Sequence, residues 1–327
     1  MQEKVFDMCF LRRLFMKKVY VFMLVTAMLM FSFVGCEQVK DGDKSADKLS
    51  VVSTVFASYD FTKEIAGNKA EVTMLIPPGS ESHSYEPSPK DIIKIQDSDI
   101  FIYIGGESDS WVNEILESMD TDNMNIIKLM DCVKVVEEEI VDGMEHEEEE
   151  ESELDEHVWT SPKNAISIVE KIEDILCEID KSNENIYKEN AEEYIEELNS
   201  LDEKFREVVD NSVRKTLIFG DRFPFRYLTD EFGLEYFAAF PGCSTETEAG
   251  ASTVAFLIDK VKEENIPVVF HVELSNMKMA NTIAESTGAE VLLLHACHNV
   301  TKDELESGVR YIDFMNQNVE NLKEALK

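Results

Sequence analysis

Four of the six histidines in this chain occupy the same kind of position in the predicted topology. His271 and His295 end apolar runs, His83 lies in a proline-bounded loop after the run 72–76, and His157 opens a new segment. Because loops at the carboxyl ends of parallel strands line one crevice in doubly wound proteins, we expect these imidazoles to converge. Several imidazoles together indicate a borderline transition metal, with Zn²⁺ first.

The other two histidines are left out of this predicted site. His298 is taken as a loop residue. His146 lies in the acidic tract 137–156, which has few apolar residues and is typical of a solvated loop. Carboxylates with a histidine attract divalent cations without fixing a geometry, so we predict an accessory metal-collecting loop. Its residues are His146, Glu147, Glu148 and Glu149. An inert solubilising insert is the alternative.

The sequence contains none of the common catalytic motifs. An HExxH pair, a GxSxG elbow, a P-loop and a GxGxxG fingerprint are all absent. We therefore predict a binding protein and not an enzyme. The rival interpretation is an exported zinc-dependent hydrolase, which would need an open coordination position and a nearby base such as Glu273 or Asp221.

The charge of the chain restricts its partners. It has 67 acidic and 31 basic residues, a formal net charge of -36. Such a charge repels phosphate backbones and attracts cations, so nucleic acid is excluded as a partner. The length of 327 residues indicates about two domains.

The N-terminus has the pattern of an export signal. Basic residues precede an apolar run that is short for a membrane-spanning helix, which needs about 20 residues. We predict a signal peptide over 1–35 that resembles a bacterial lipoprotein signal, with Cys36 lipidated and 36–48 a flexible tether. A plain membrane anchor is the alternative. Met16 would be a more ordinary start than Met1. Either way, the remaining chain is expected to be extracytoplasmic and anchored to the bacterial cell membrane.

Strands and helices alternate along the chain from residue 49, which predicts parallel sheets covered by helices. The strand-like runs are 51–57, 70–76, 100–104, 126–130, 216–219, 235–240, 268–272 and 291–294. We predict an α/β protein with two doubly wound lobes, 49–180 and 211–327, joined by a long linking helix over 183–210. The acidic loop 137–156 belongs to the first lobe. The metal site is expected in the cleft between the lobes.

Several segments carry a resemblance to a known family. They are IPPGSESHSYEPSPKDI, DEHVWTSPKNA, YKENAEEYIEELNSLDEKF and TGAEVLLLHACHNV. Together they resemble the metal-specific substrate-binding lipoproteins of zinc and manganese ABC importers. The resemblance implies two lobes bridged by one rigid helix, with the metal held between them and handed to a membrane permease that works with its ATPase. The two family ligands from the first lobe fall on His83 and His157.

The other two family ligands do not carry over simply. One is usually a carboxylate after the last strand, and His295 occupies that place. The other is a histidine or glutamate in the family, and counting residues along the matching segment places Arg222 at its position. Arginine does not bind a cation. Either His271 or Asp221 would complete the set, with His271 favoured. The predicted ligands are His83, His157, His295 and His271, with Asp221 as the alternative to the last. Arg222 would instead pair with Glu273 or Glu248.

An imidazole-rich site favours Zn²⁺, because manganese sites use mostly oxygen ligands. We therefore predict an extracytoplasmic, monomeric binding protein without nucleic-acid partners, which captures Zn²⁺ for uptake through an ABC transporter. A Mn²⁺-binding member of the same family is the alternative.

The cysteines of the exported part are too few for a disulfide scaffold. Because an exported chain meets an oxidising environment, Cys243 and Cys297 are a candidate pair. Buried, inert thiols are the alternative.

Overall fold

The computed structural model of the chain describes residues 48–144, 153–244 and 248–327. The predicted signal peptide, Cys36 and the four residues of the predicted metal-collecting loop, 146–149, lie outside these ranges. In the described part, no helix is both long and apolar enough to cross a membrane.

The first sheet has four parallel strands. They are β1 (Leu49–Ser53), β2 (Ala70–Met74), β3 (Ile100–Tyr103) and β4 (Asn125–Lys128), in the order β2-β1-β3-β4. Val51 pairs with Val72 on one side and with Ile100 on the other. All four residues of β3 are buried, because a central parallel strand is covered on both faces.

Three helices connect these strands, and two further helices follow the sheet. They are α1 (Phe56–Ala66), α2 (Pro89–Gln96), α3 (Ser110–Ser118), α4 (Pro162–Ile179) and α5 (Glu184–Asp210). Helix α2 begins with a capping box between Ser88 and Asp91 and a proline in its first turn, so the loop that carries His83 has a fixed end.

Helix α5 is the long linking helix that the sequence predicts. Its buried residues recur at three- and four-residue spacing, as expected for an amphipathic helix: Tyr187, Ala191, Tyr194, Leu198, Leu201, Phe205 and Val209. Near its start Tyr194 packs on Phe61 of α1, with ring centroids 6.0 Å apart. Near its end Phe205 stacks on Phe232, which follows the linker, at 5.3 Å. The helix therefore packs against both lobes.

The second sheet repeats the parallel arrangement. Its strands are β5 (Thr216–Phe223), β6 (Glu235–Pro241), β7 (Val268–His271) and β8 (Glu290–Leu293), in the order β6-β5-β7-β8. Its helices are α6 (Arg226–Phe232), α7 (Ala251–Glu264), α8 (Lys278–Thr287), α9 (Lys302–Ser307) and α10 (Tyr311–Ala325). The fold prediction of two parallel α/β lobes joined by a long helix is confirmed.

Buried hydrogen bonds join the two halves of the chain near the cleft. Trp159 Nε1 donates to the carbonyl of Ala296 at 2.7 Å, and the Tyr311 hydroxyl donates to the carbonyl of Trp159 at 2.7 Å. Trp159 and Tyr311 are fully buried. These contacts fix the segment after His157 against the loop after β8.

The structure does not contain the candidate disulfide. Cys243 and Cys297 are both free thiols, and Cys297 is buried with its Sγ 3.8 Å from the carbonyl of His295. The candidate pairing is therefore not present in this fold.

Candidate metal centre

His83 enters the cleft from the loop between β2 and α2. Its Nδ1 lies 2.7 Å from the Ser108 hydroxyl, in a hydrogen bond that fixes the ring orientation. This contact leaves Nε2 available to a ligand. Burial lowers the pKa of His83 to about 3, and the neighbouring His157 and Arg222 add to the effect. The ring is therefore neutral near pH 7, which is the form that binds metals.

His157 precedes the 3₁₀ turn Val158–Thr160 and is completely buried. Asp155 Oδ1 accepts from the backbone N–H of His157 at 2.8 Å and lies 3.2 Å from its Nδ1. A carboxylate on one ring nitrogen directs the other toward a metal. Nε2 has no hydrogen-bond partner among the described residues. Burial by itself would lower the pKa of His157, but the neighbouring carboxylates of Asp155, Glu156 and Glu138 together raise it.

His298 reaches the same place from the loop after β8. Its ring is buried, and Nε2 has no hydrogen-bond partner in the part of the chain that the structure describes. The carboxylate of Glu273 holds the loop by accepting from the backbone N–H groups of Ala296 (2.7 Å) and His298 (3.0 Å). Burial, followed by the proximity of His83 and His157, holds the pKa of His298 well below its usual value.

The three imidazoles form one compact cluster. Ring centroids are 5.5 Å apart for His83 and His157, 4.8 Å for His83 and His298, and 5.0 Å for His157 and His298. One ligand atom from each ring lies within 4.8 Å of the others. Since Zn–N bonds are about 2.0–2.1 Å long, a modest inward movement of the rings would bring all three onto one ion.

His295 and His271 lie outside this cluster. His295 is buried against Phe314, with ring centroids 3.7 Å apart, and its Nδ1 accepts from the Cys297 backbone at 2.9 Å. His271 Nδ1 lies 2.9 Å from the carbonyl of Val272. The structure therefore differs from the ligand set expected from the sequence, with His298 in place of these two residues.

The shift from His295 to His298 follows from the path of the loop. Strand β8 ends at Leu293, and the chain then turns through Cys297, whose φ of 58° is left-handed. Asn318 fixes the start of this turn by donating to the carbonyl of His295 and accepting from its N–H, both at 2.8 Å. The strand-end position expected for a ligand thus faces the core, and the cleft receives the residue three positions later.

Asp221 and Arg222 also differ from expectation. Asp221 accepts from the backbone N–H groups of Arg222 (2.9 Å) and Val272 (3.4 Å), and it belongs to none of the metal-sized clusters of the described chain. Arg222 pairs with Glu81, at 3.0 Å from Nη2 and 3.2 Å from Nη1, and not with Glu273 or Glu248. The ion pair joins the His83 loop to β5, across the cleft.

The lining of the cleft between the lobes thus combines imidazoles with the positively charged side chain of Arg222. The lining includes His83, His157, His298, Glu81, Arg222 and Glu273. Glu273 and Glu81 already accept hydrogen bonds from protein groups, the former from backbone and the latter from Arg222. Neither of these two carboxylates is therefore free to bind a cation, whereas Nε2 of His157 and Nε2 of His298 have no hydrogen-bond partner among the described residues.

Two α/β lobes with buried imidazoles gathered between them define a metal-binding solute-binding protein. The chain matches the family model described as zinc-uptake complex component A, periplasmic, over residues 51–325, and it belongs to that family. The family consists of metal-binding solute-binding proteins and is not an enzyme family.

Two relatives named for zinc uptake or zinc binding are similar in sequence over most of the chain, and a solved structure of one of them is similar in fold. The high-affinity zinc uptake system protein ZnuA of Bacillus subtilis is 34% identical over 94% of this chain and 97% of its own length. The zinc-binding lipoprotein AdcA of Streptococcus pneumoniae is 33% identical over 95% of this chain, which spans 61% of AdcA. The crystal structure of the Zn(II)-bound ZnuA-like domain of that AdcA superposes with a TM-score of 0.72 and 32% identity, over 85% of this chain and 99% of the domain.

Proposed function

We propose that this protein captures Zn²⁺ outside the cytoplasm and delivers it to an ABC transporter permease and its ATPase for zinc uptake. The observation that carries the proposal is the cluster of His83, His157 and His298, in which two imidazoles from before α5 meet one from after it. Membership of the zinc-uptake family supports the transport role. A lipid anchor at Cys36 and action as a monomer are part of the same proposal.

The donor set favours Zn²⁺ over Mn²⁺. Three imidazoles form a borderline site, whereas Mn²⁺ prefers oxygen ligands. Two carboxylates that line the cleft, Glu81 and Glu273, accept hydrogen bonds from Arg222 and from backbone N–H groups, so they are already engaged. The Zn(II)-bound relative is consistent with this choice.

The same engagement disfavours the hydrolase alternative. A zinc hydrolase needs a carboxylate base beside the metal-bound water. The two candidates, Glu273 and Asp221, each hold two backbone N–H groups. If either carboxylate accepted a proton as a general base, its hydrogen bonds to these backbone N–H groups would be weakened.

Isothermal titration of the tagless protein with Zn²⁺ and Mn²⁺ tests the proposal. We expect tighter binding of Zn²⁺, and a loss of affinity of about 100-fold, or about 2.7 kcal/mol, in His298→Ala. His271→Ala is the matched control, since it removes another histidine of the same half that lies outside the cluster, and it should bind zinc like the wild type. Equal or tighter Mn²⁺ binding, or a larger loss in His271→Ala than in His298→Ala, would refute the assignment.

Delivery requires a separate test in cells. A bacterial strain that lacks its own zinc-binding protein but keeps the permease should regain growth under zinc limitation when it expresses this chain. Expression of His298→Ala should restore less growth. Full rescue by that variant would contradict a role of the cluster in uptake.

A further inference from the structure

A cysteine lies beside the three-imidazole cluster without belonging to it. Cys243 follows β6, and its backbone N–H donates to Glu138 Oε1 at 3.0 Å, which anchors the loop. The neighbouring Gly242 lines the cleft, where a Cβ would lie 3.0 Å from His157 Cε1. Cys243 is the next residue along the chain.

The Cys243 thiol meets two other ligand-type groups there. Its Sγ, one carboxylate oxygen of Glu156 and one ring nitrogen of His83 all lie within 4.8 Å of one another. Zinc bonds are about 2.3 Å long to sulfur and about 2.0–2.2 Å to nitrogen or oxygen. Small side-chain movements would therefore place all three atoms on one ion.

The carboxylate of Glu156 is an independent observation that indicates a bound cation at this position. Its side chain is almost completely buried, and Oε1 accepts from the backbone N–H of Ser108 at 2.8 Å. Oε2 is buried without a hydrogen-bond partner among the described residues. Leaving a carboxylate oxygen unsatisfied in the interior costs free energy, so such an atom calls for a bound partner.

Close packing keeps this carboxylate in position. A Cβ at Gly106 would lie 2.3 Å from Glu156 Oε1, so the glycine backbone is in direct contact with the carboxyl group. The carboxylate is therefore held by the loop after β3 and by Ser108. It does not depend on the three-imidazole cluster for its position.

We propose that His83, Glu156 and Cys243 form a second cation site, adjacent to the three-imidazole cluster and sharing His83 with it. One nitrogen, one oxygen and one thiolate sulfur suit a thiophilic divalent cation such as Zn²⁺ or Cd²⁺. The cation replaces the thiol proton, which is released to solvent as the metal–sulfur bond forms. The site goes beyond the proposed function, because it uses Cys243 and Glu156, which the three-imidazole cluster does not. Since Ser108 engages Nδ1 of His83, Nε2 of that ring binds one cation at a time.

Because the two sites share His83, the second site can take part in the capture of zinc. A cation held by Cys243 and Glu156 is already bound to a residue of the first cluster. Exchange of the other two ligands for His157 and His298 would then move it without release to solvent. The pair of sites is thus arranged as a relay within the cleft.

Absorption spectroscopy with Co²⁺ as the probe tests the site, using the tagless protein. His298→Ala disrupts the first cluster but keeps all three residues of the second. We expect thiolate-to-Co²⁺ charge-transfer absorption in the wild type and in His298→Ala, and its loss in Cys243→Ser. Cys177→Ser is the matched control, since it removes a cysteine of α4 that belongs to neither metal-sized cluster of the described chain and should keep the band. Circular dichroism confirms that each variant is folded.

Three outcomes would overturn the second site. They are the absence of a thiolate band in both the wild type and His298→Ala, a band that persists in Cys243→Ser, and a disulfide at Cys243 in the purified protein. Zinc titration keeps the two proposals apart. If the wild type binds no Zn²⁺ tightly but the Co²⁺ thiolate band is present, the transport proposal fails and the second site stands.

Discussion

The half of the chain before α5 and the half after it contribute to the cleft in different ways. Before α5, His83 and His157 are each oriented by a side chain, the Ser108 hydroxyl and the Asp155 carboxylate. After α5, His298 is positioned through its backbone by Glu273, and Arg222 adds a permanent positive charge. The first half therefore supplies pre-oriented ligands, and the second supplies one ligand on a braced loop together with a cation that faces Glu81.

The largest effect should come from His83, because it belongs to both clusters. His83→Ala is expected to weaken zinc binding by about 1,000-fold, or about 4 kcal/mol, more than His298→Ala does. Isothermal titration measures both, and Co²⁺ absorption should show loss of the thiolate band as well. If His83→Ala and His298→Ala were equivalent in both measurements, the sharing of His83 would be contradicted.

Removing the side-chain support of His157 should have the next largest effect. Asp155→Asn keeps the shape of the side chain but removes the charge that orients the imidazole, so zinc affinity should fall about 10- to 100-fold. Asp155 also accepts from the backbone of His157, and this contact is available to the asparagine oxygen. Unchanged zinc affinity in this variant would mean that packing alone orients the ring.

The matching change after α5 is Glu273→Gln. A glutamine has one carbonyl oxygen where the carboxylate accepts from both Ala296 and His298, so one loop N–H loses its partner. We expect a loss of zinc affinity of about 10-fold and a lower unfolding temperature, because a buried backbone N–H is left unsatisfied. Calorimetry separates the two effects. A larger loss of zinc affinity than in Asp155→Asn would contradict the prediction that the support of His157 matters more for zinc binding than the support of His298.

The smallest effect on zinc affinity is expected from changing Arg222, the positively charged side chain of the cleft. Arg222→Ala removes a positive charge beside the cluster, which should raise zinc affinity a few-fold at low salt, and the difference should shrink as salt screens the charge. The loss of the Glu81 ion pair should change stability by less than about 1 kcal/mol, since Glu81 is substantially exposed. Arg222→Lys is the control that keeps the charge. Weaker zinc binding in Arg222→Ala would show that the ion pair holds the lobes in their binding position.

Much of the fold is encoded in local patterns. The alternation of apolar runs and helical segments predicts the two parallel sheets, and three- and four-residue spacing predicts α5 within one residue at its start. Local signals also place His83 and His157 in the loops that the structure brings together. The strand-end rule misplaced the contribution of the second half, because it selected His295 and His271 and left His298 as a loop residue.

A signal for His298 was present but not decisive in the sequence. His295 and His298 stand three residues apart in one loop, and a strand pattern cannot show which of them turns toward the cleft. The choice depends on a left-handed residue at Cys297 and on anchors from elsewhere in the chain, Glu273 and Asn318. Side-chain anchors more than twenty residues away do not appear in the local periodicity.

Local patterns of residues predict the class of fold, the linking helix and a site built on histidines at loop positions, because hydrophobic periodicity and loop composition are local properties. The folded chain is needed to show which imidazoles share the cleft, that Arg222 pairs with Glu81, and that Cys243 and Glu156 lie beside His83. These arrangements depend on contacts between distant segments. Residues 81 and 222, for example, are separated by 141 positions and meet only when both lobes have folded around α5.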